Sequence, residues 1–192
     1  MKGDAPWTFE EMLVRQCAPT LAGLKPGSLF CITAEDLENV RKKVRFWDQR
    51  LEVLGLSVRI LLERREAGSA LVYVYRGSQL EQSLGATDRR GFLVGMGYRG
   101  SGTEQMLDQL AERLSAQSDF PHEIGVFLGY PLRDVVGFIE NRGQNFTCCG
   151  FWKSYSDPNT IQRCFACYRQ CVNIYVRMYE RGIPIEKMVI AA

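Results

Sequence analysis

The side chains with the most distinctive chemistry in this 192-residue chain are seven cysteines and a single histidine. Five cysteines, Cys148, Cys149, Cys164, Cys167 and Cys171, lie within 24 residues of one another. Four thiolates suffice for zinc or an iron–sulfur cluster. Alternatively, the vicinal pair, or Cys164 with Cys167, can exchange between thiol and disulfide. The simplest reading is packing, because an unpaired cysteine behaves as a small hydrophobe. A Cys-x-x-Cys inside a helix also chelates less readily than one on a turn. His122, as the sole histidine, excludes a histidine-rich zinc site within one chain. Any Ser-His-Asp or Cys-His arrangement has to use it as the base. Its plainer role is positional, in the first turn of a short helix that begins with Pro121 and is capped by Asp119.

A candidate ligand pocket follows from the remaining reactive side chains: Cys17 and Lys25 on the irregular stretch CAPTLAGLKPGS, His122 with Glu123, and Lys153 with Tyr155 from WKSY. No complete catalytic constellation appears among them, no cofactor is indicated, and no metal set is assigned; the five clustered cysteines stand as the metal alternative. The glycines of GMGYRGSG at 95–102 look like a phosphate-cradling loop, but a helix-like run precedes them where the dinucleotide fingerprint needs a strand.

The elements that have to position these groups can be read from periodicity. A short helix is expected from Trp7 to about Gln16, then irregular chain through two prolines and two glycines, then a strand at Leu29–Ile32. Leu37, Val40, Val44, Trp47, Leu51 and Leu54 step by three or four and predict a helix that starts near Thr33 and Asp36 and ends at Gly55. Two β-rich runs, Val58–Arg64 and Ala70–Arg76, predict a hairpin around Glu66-Ala67-Gly68. Helical signals follow to Leu84, near Asp88–Met96, from Thr103 to about Ser115, and from Pro131 to about Glu140. The longest helix is capped by Ser156 or Asp157, carries Pro158 in its first turn and runs to about Arg181. At about 100° per residue, Ile161, Phe165, Tyr168, Val172, Tyr175 and Tyr179 share one stripe. Cys164 and Cys171 sit at its edge and Cys167 further toward solvent, so packing predicts the first two to be buried.

The fold class expected is α+β: a small sheet of about three or more strands from the N-terminal half, packed by helices, with a mainly helical C-terminal half. One domain over residues 1–192 is the expectation, with possible subdomains at 1–100 (α/β) and 101–192 (helical). Composition is that of a globular chain, 46% hydrophobic and 24% charged. A net charge of +2 gives no field for nucleic acid, and the basic run at 41–45 fits a solvated helix face. The start MKGDAPWTFEEM has no apolar run behind Lys2, and no stretch approaches about 18 apolar residues, so neither a leader nor a membrane span is expected. A cytoplasmic location is the expectation.

CAPTLAGLKPGSLF at 17–30, PHEIGVFLGYPLRDVVGFIE at 121–140 and CCGFWKSY at 148–155 resemble, in this order, a domain-of-unknown-function family of small cytoplasmic proteins from clostridia and related anaerobes. The resemblance spans about Leu13 to Met188. It implies an anaerobic redox or iron context and a flavodoxin-type redox partner, and it supplies no activity. The function expected is a non-enzymatic binding or adaptor protein. The alternatives are a small-molecule enzyme using the pocket above, and a zinc or iron–sulfur protein using the C-terminal cysteines. In each case the three motifs are expected to meet in space.

Overall fold

The computed structural model describes residues 7–100, 102–116 and 120–190. Helix α1 (Phe9–Leu21) opens with a capping box: Glu11 N–H donates to Thr8 Oγ1, and the Glu11 carboxylate accepts from Thr8 N–H. Strand β1 (Gly27–Thr33) follows, then α2 (Leu37–Glu52), β2 (Leu56–Arg64) and β3 (Ser69–Arg76). Five helices follow: α3 (Gly77–Gly85), α4 (Thr87–Gly95), α5 (Thr103–Ala116), α6 (Ile124–Phe127) and α7 (Leu132–Glu140). A two-stranded hairpin, β4 (Cys148–Cys149) with β5 (Lys153–Ser154), leads into α8 (Pro158–Glu180) and α9 (Ile185–Met188).

The fold is α+β. β3 lies at the centre of an antiparallel sheet of order β1-β3-β2. Its side chains alternate strictly between two cores. Ala70, Val72 and Val74 pack with α1, α2 and α8, whereas Leu71, Tyr73 and Tyr75 pack with α3 to α7. This is the period of two expected of a strand buried on both faces. A bulge between Ile60 and Leu62 of β2 places Leu61 and Leu62 on the same core. Both cores draw on both halves of the chain. α8, near the C-terminal end, packs Cys171 and Tyr175 into the core that α1 shares.

Three boundaries depart from the sequence reading. α1 runs through Pro19 to Leu21, so Cys17 sits on a buried helix and not on a loop. Pro19 falls in the last turn, where its missing N–H costs one intrahelical bond, and Leu24 N–H closes the end onto Pro19 O at 2.8 Å. Arg76, 1% exposed, satisfies the carbonyls left open at the buried helix end: Nε donates to Thr20 O (2.7 Å) and Nη2 to Leu21 O (2.6 Å), with Nη2 also donating to Ile190 O (2.6 Å). α2 is capped by Asp36, whose carboxylate accepts from Glu38 N–H at 2.8 Å, because Thr33 is paired with Ser69 in the sheet. The β4–β5 hairpin was not expected; strands of two residues are too short to show a period. The cap assigned to Asp119 lies outside the described residues.

Candidate functional site

The segments carrying the three motifs meet at one stacked pair of rings. Tyr130, after α6, lies against Trp152 of the β4–β5 turn with centroids 4.5 Å apart and planes 22° from parallel. Gly129 permits this approach. It has φ +75°, and a Cβ there would stand 2.4 Å from Cδ of Pro26, so only glycine lets the two loops touch. Gly150 does the same for the hairpin, where a Cβ would meet the Phe165 ring of α8 at 2.3 Å. Trp152 then packs its edge on Phe165 (4.7 Å, 85°), and Phe151 packs on Tyr168 (5.3 Å, 88°). Tyr168 OH reaches back to Leu24 O at 3.4 Å.

Two buried charges flank the stack. Asp134, in the first turn of α7 and 1% exposed, accepts four hydrogen bonds. Trp152 Nε1 (2.7 Å) and Ser154 Oγ (2.8 Å) donate to Oδ2; Tyr155 N–H (2.8 Å) and Ser156 Oγ (2.7 Å) donate to Oδ1. Burial raises its pKa, but these four donors outweigh that and hold the carboxyl below the usual carboxylate range. Asp134 thus fastens the hairpin onto α7. Lys25, 9% exposed, faces the other ring, with Nζ 5.3 Å from the Tyr130 centroid. Among the described residues it makes no ion pair and no hydrogen bond. Since every fully buried side-chain nitrogen or oxygen there has a hydrogen-bond partner, Nζ keeps contact with solvent at one point. Burial lowers its pKa to about 8, against weaker opposing influences from Cys17 and Cys164.

A cleft of about 260 Å³ opens in front of the stack, between the Phe120–Tyr130 segment, α7 and the hairpin. His122 and Lys153 both line it. His122 is exposed and, among the described residues, its partners are two rings, Phe138 at 4.7 Å and Phe120 at 6.5 Å. Lys153 donates to Gly143 O at 2.9 Å and lies 5.0 Å from the Phe146 ring centroid. The structure therefore brings His122, Lys153 and, behind Tyr130, Lys25 to one place. The other candidates point elsewhere. Glu123, 2% exposed, turns inward to accept from Arg113 Nη1 (3.0 Å) and Tyr98 OH (3.3 Å). Tyr155 spends its hydroxyl on Gln144 O at 2.8 Å. Cys17 is fully buried, and desolvation pushes its thiol far up, away from thiolate chemistry.

The C-terminal cysteines are spread over three environments. Cys171 packs in the core, where burial pushes its thiol up to about 11. Cys167 is exposed, and Cys164 is half-buried beside Lys25 and Tyr168 rather than fully buried. Cys148 and Cys149 lie on β4, opposite Ser154 and Lys153. Among the described residues no three His, Cys, Asp or Glu side chains are placed to hold a metal ion.

Sequence reasoning missed Tyr130, Asp134, Phe138 and Trp152. The aromatic density of GFW at 150–152 and the hydroxyls of SYS at 154–156 were the available signals; the carboxylate they converge on had none.

The chain is α+β, and its hairpin is fastened beside a helix so that a cleft lined by aromatic rings lies between them. By sequence, the chain belongs to the protein family of unknown function DUF3793, which matches residues 13–189. No curated protein and no solved structure matches it. No helix of the described residues is long and apolar enough to cross a membrane.

Proposed function

We propose that this protein is a non-enzymatic binding protein that holds a small molecule in the cleft before the Tyr130–Trp152 stack. The observation that carries this reading is the carboxylate of Asp134, which takes two donors on each oxygen and so fixes one wall of the cleft before any ligand arrives. A preformed aromatic pocket with few polar groups is how small-molecule sites are built. A binding role also fits His122, whose partners among the described residues are rings and not an orienting carboxylate, unlike the base of a nucleophile–base pair. The redox or iron context and the flavodoxin-type partner come from the family resemblance alone. Seven unpaired cysteines support a reducing, cytoplasmic setting; the net charge of +2 argues against nucleic acid as a partner.

The test is a titration of the isotope-labelled protein with one- and two-ring aromatic compounds, followed by NMR. Shifts confined to Tyr130, Phe138, Trp152 and Lys153, with the compound recovered unchanged, are expected. Shifts elsewhere, or none at millimolar concentrations, would sink the reading.

One observation favours the enzyme alternative. An amine whose pKa is lowered to about 8 by burial is partly neutral at pH 7 and can attack a carbonyl. Brief treatment with a small aldehyde and borohydride should then label Lys25 before the exposed Lys42 and Lys187. Slower labelling of Lys25 would remove that alternative.

A further inference from the structure

We infer that the ligand of this cleft is a flat aromatic acid, its ring against the Tyr130–Trp152 stack and its carboxylate on Lys153. This rests on the binding reading above and narrows it to a chemical class.

The argument is an account of what the lining can still offer. Tyr130, Phe138, Phe151 and Trp152 supply ring surfaces to the cleft, and such surfaces select flat, polarisable groups by stacking or edge contact. The 260 Å³ available is below the roughly 300–1,000 Å³ of pockets that enclose drug-sized ligands. One ring or two fused rings fit that space.

The polar account is one-sided. Asp134 is the only carboxylate lining the cleft among the described residues, and both its oxygens already carry two donors each. It has no capacity left for a cationic or hydrogen-bond-donating ligand. Lys153 has three N–H donors and gives one to Gly143 O, so two remain for the cleft. The carbonyl that anchors it is presented by a left-handed turn, with Arg142 at φ 49°, Gly143 at 69° and Asn145 at 57°. That anchor, with the Phe146 and Phe138 rings 5.0 and 6.0 Å away, restricts the ammonium to the rim. Among the described residues His122, across the cleft, has ring partners and no carboxylate that would neutralise an approaching anion. A ligand bearing a positive charge would meet repulsion from Lys153 and, among the described lining residues, no carboxylate with an open acceptor site. A ligand bearing a carboxylate would meet the unspent donors, and charge-assisted bonds of this kind are the stronger class.

The experiment is calorimetric titration of the whole protein at pH 7 and low salt with 2-naphthoate and with 2-naphthylmethanol, which keeps the rings and removes the charge. The acid should bind at least tenfold more tightly. Lys153→Met should erase that preference while leaving the alcohol within twofold of its affinity for the unaltered protein, and Lys153→Arg should retain the preference. Equal affinity of the two compounds, or a preference surviving Lys153→Met, would overturn the acid assignment and leave the cleft as a binding site. Failure of both compounds to bind at millimolar concentrations would overturn the acid assignment and the binding reading together.

Discussion

Asp134 and Lys25 are both buried, both charged in their ordinary state, and both in contact with the same pair of stacked rings, yet they are held in opposite ways. Asp134 takes four hydrogen bonds from one contiguous segment, residues 152–156. Lys25 has the face of Tyr130 and no hydrogen bond among the described residues. A buried charge that is fully satisfied serves structure, because its partners cannot be rehydrated without breaking the fold. A buried charge with no protein hydrogen bond and a single point of solvent contact costs stability, because solvation lost on burial is not replaced. The contrast divides the site into a fixed wall and a backing whose charge has no protein hydrogen bond. Arg76 shows that the fold can satisfy a buried cation when the role is structural, since three backbone carbonyls accept from it at the end of α1.

The contrast is most severely tested at Asp134. Asp134→Ala strands the buried Ser154 hydroxyl together with a half-buried indole N–H, backbone N–H and second hydroxyl. Loss of buried partners on this scale should cost about 3–5 kcal/mol in denaturant unfolding. The hairpin should lose its amide protection first. A loss under about 1 kcal/mol would show that the hairpin is held by its aromatic contacts and that Asp134 is no anchor. The pH dependence follows from the lowered pKa. The carboxylate contributes stability above about pH 4, the unfolded value, and that contribution is lost as pH falls through and below it. Asp134→Ala should flatten this acid limb.

Lys25 should behave with the opposite sign. Its folded pKa of about 8 lies below the unfolded value of 10.5, so between these two the unfolded chain binds more protons and stability rises with pH. Below pH 8 the full cost of the buried charge is present. Lys25→Met should therefore stabilise the protein at pH 7, by up to about 3 kcal/mol from 1.36 kcal/mol per pKa unit, and the gain should shrink as pH approaches 10.5. Unfolding curves at pH 7 and pH 10 for both proteins measure it directly. A variant less stable than the wild type at pH 7 would mean that the Tyr130 ring compensates the charge in full, and the comparison with Asp134 would fail.

What the sequence disclosed and what it withheld follow the same physics. The stripe from Leu37 to Leu51, the two β-rich runs and the stripe from Ile161 to Tyr175 are periodic over many residues, and each became the element expected. Pro19 misled because its cost depends on position within a helix, and in the last turn it is small. Lys25, His122 and Lys153 were readable as candidates because each is a titratable side chain within one of the three motif segments. Asp134 was not, since nothing local distinguishes a surface aspartate on a short helix from one that receives four donors from a segment some twenty residues on. Glu123 illustrates the reverse. Beside His122 in sequence, it is rotated into the core, where Arg113 and Tyr98 engage it. Adjacent residues on a helical turn do not share a face.

The smallest effects belong to α8, and they decide whether the thiols beside Lys25 differ from the thiol in the core. Cys171 packs with Tyr175 among residues of the α1 core, so Cys171→Ala removes one buried sulfur and should cost on the order of 1 kcal/mol. Cys164 is only half-buried, and Cys164→Ala should cost less than Cys171→Ala. If the two cysteines serve packing, neither variant should change the metal content of anaerobically purified protein. Should Cys164→Ala instead release stoichiometric zinc or iron and cost several kcal/mol, binding free energy would be part of folding free energy there. The amine of Lys25 would then stand next to a metal centre, and the division of the site into a fixed wall and a charged backing would have to be redrawn around thiolates. Elemental analysis and denaturant midpoints on the same two preparations separate these outcomes.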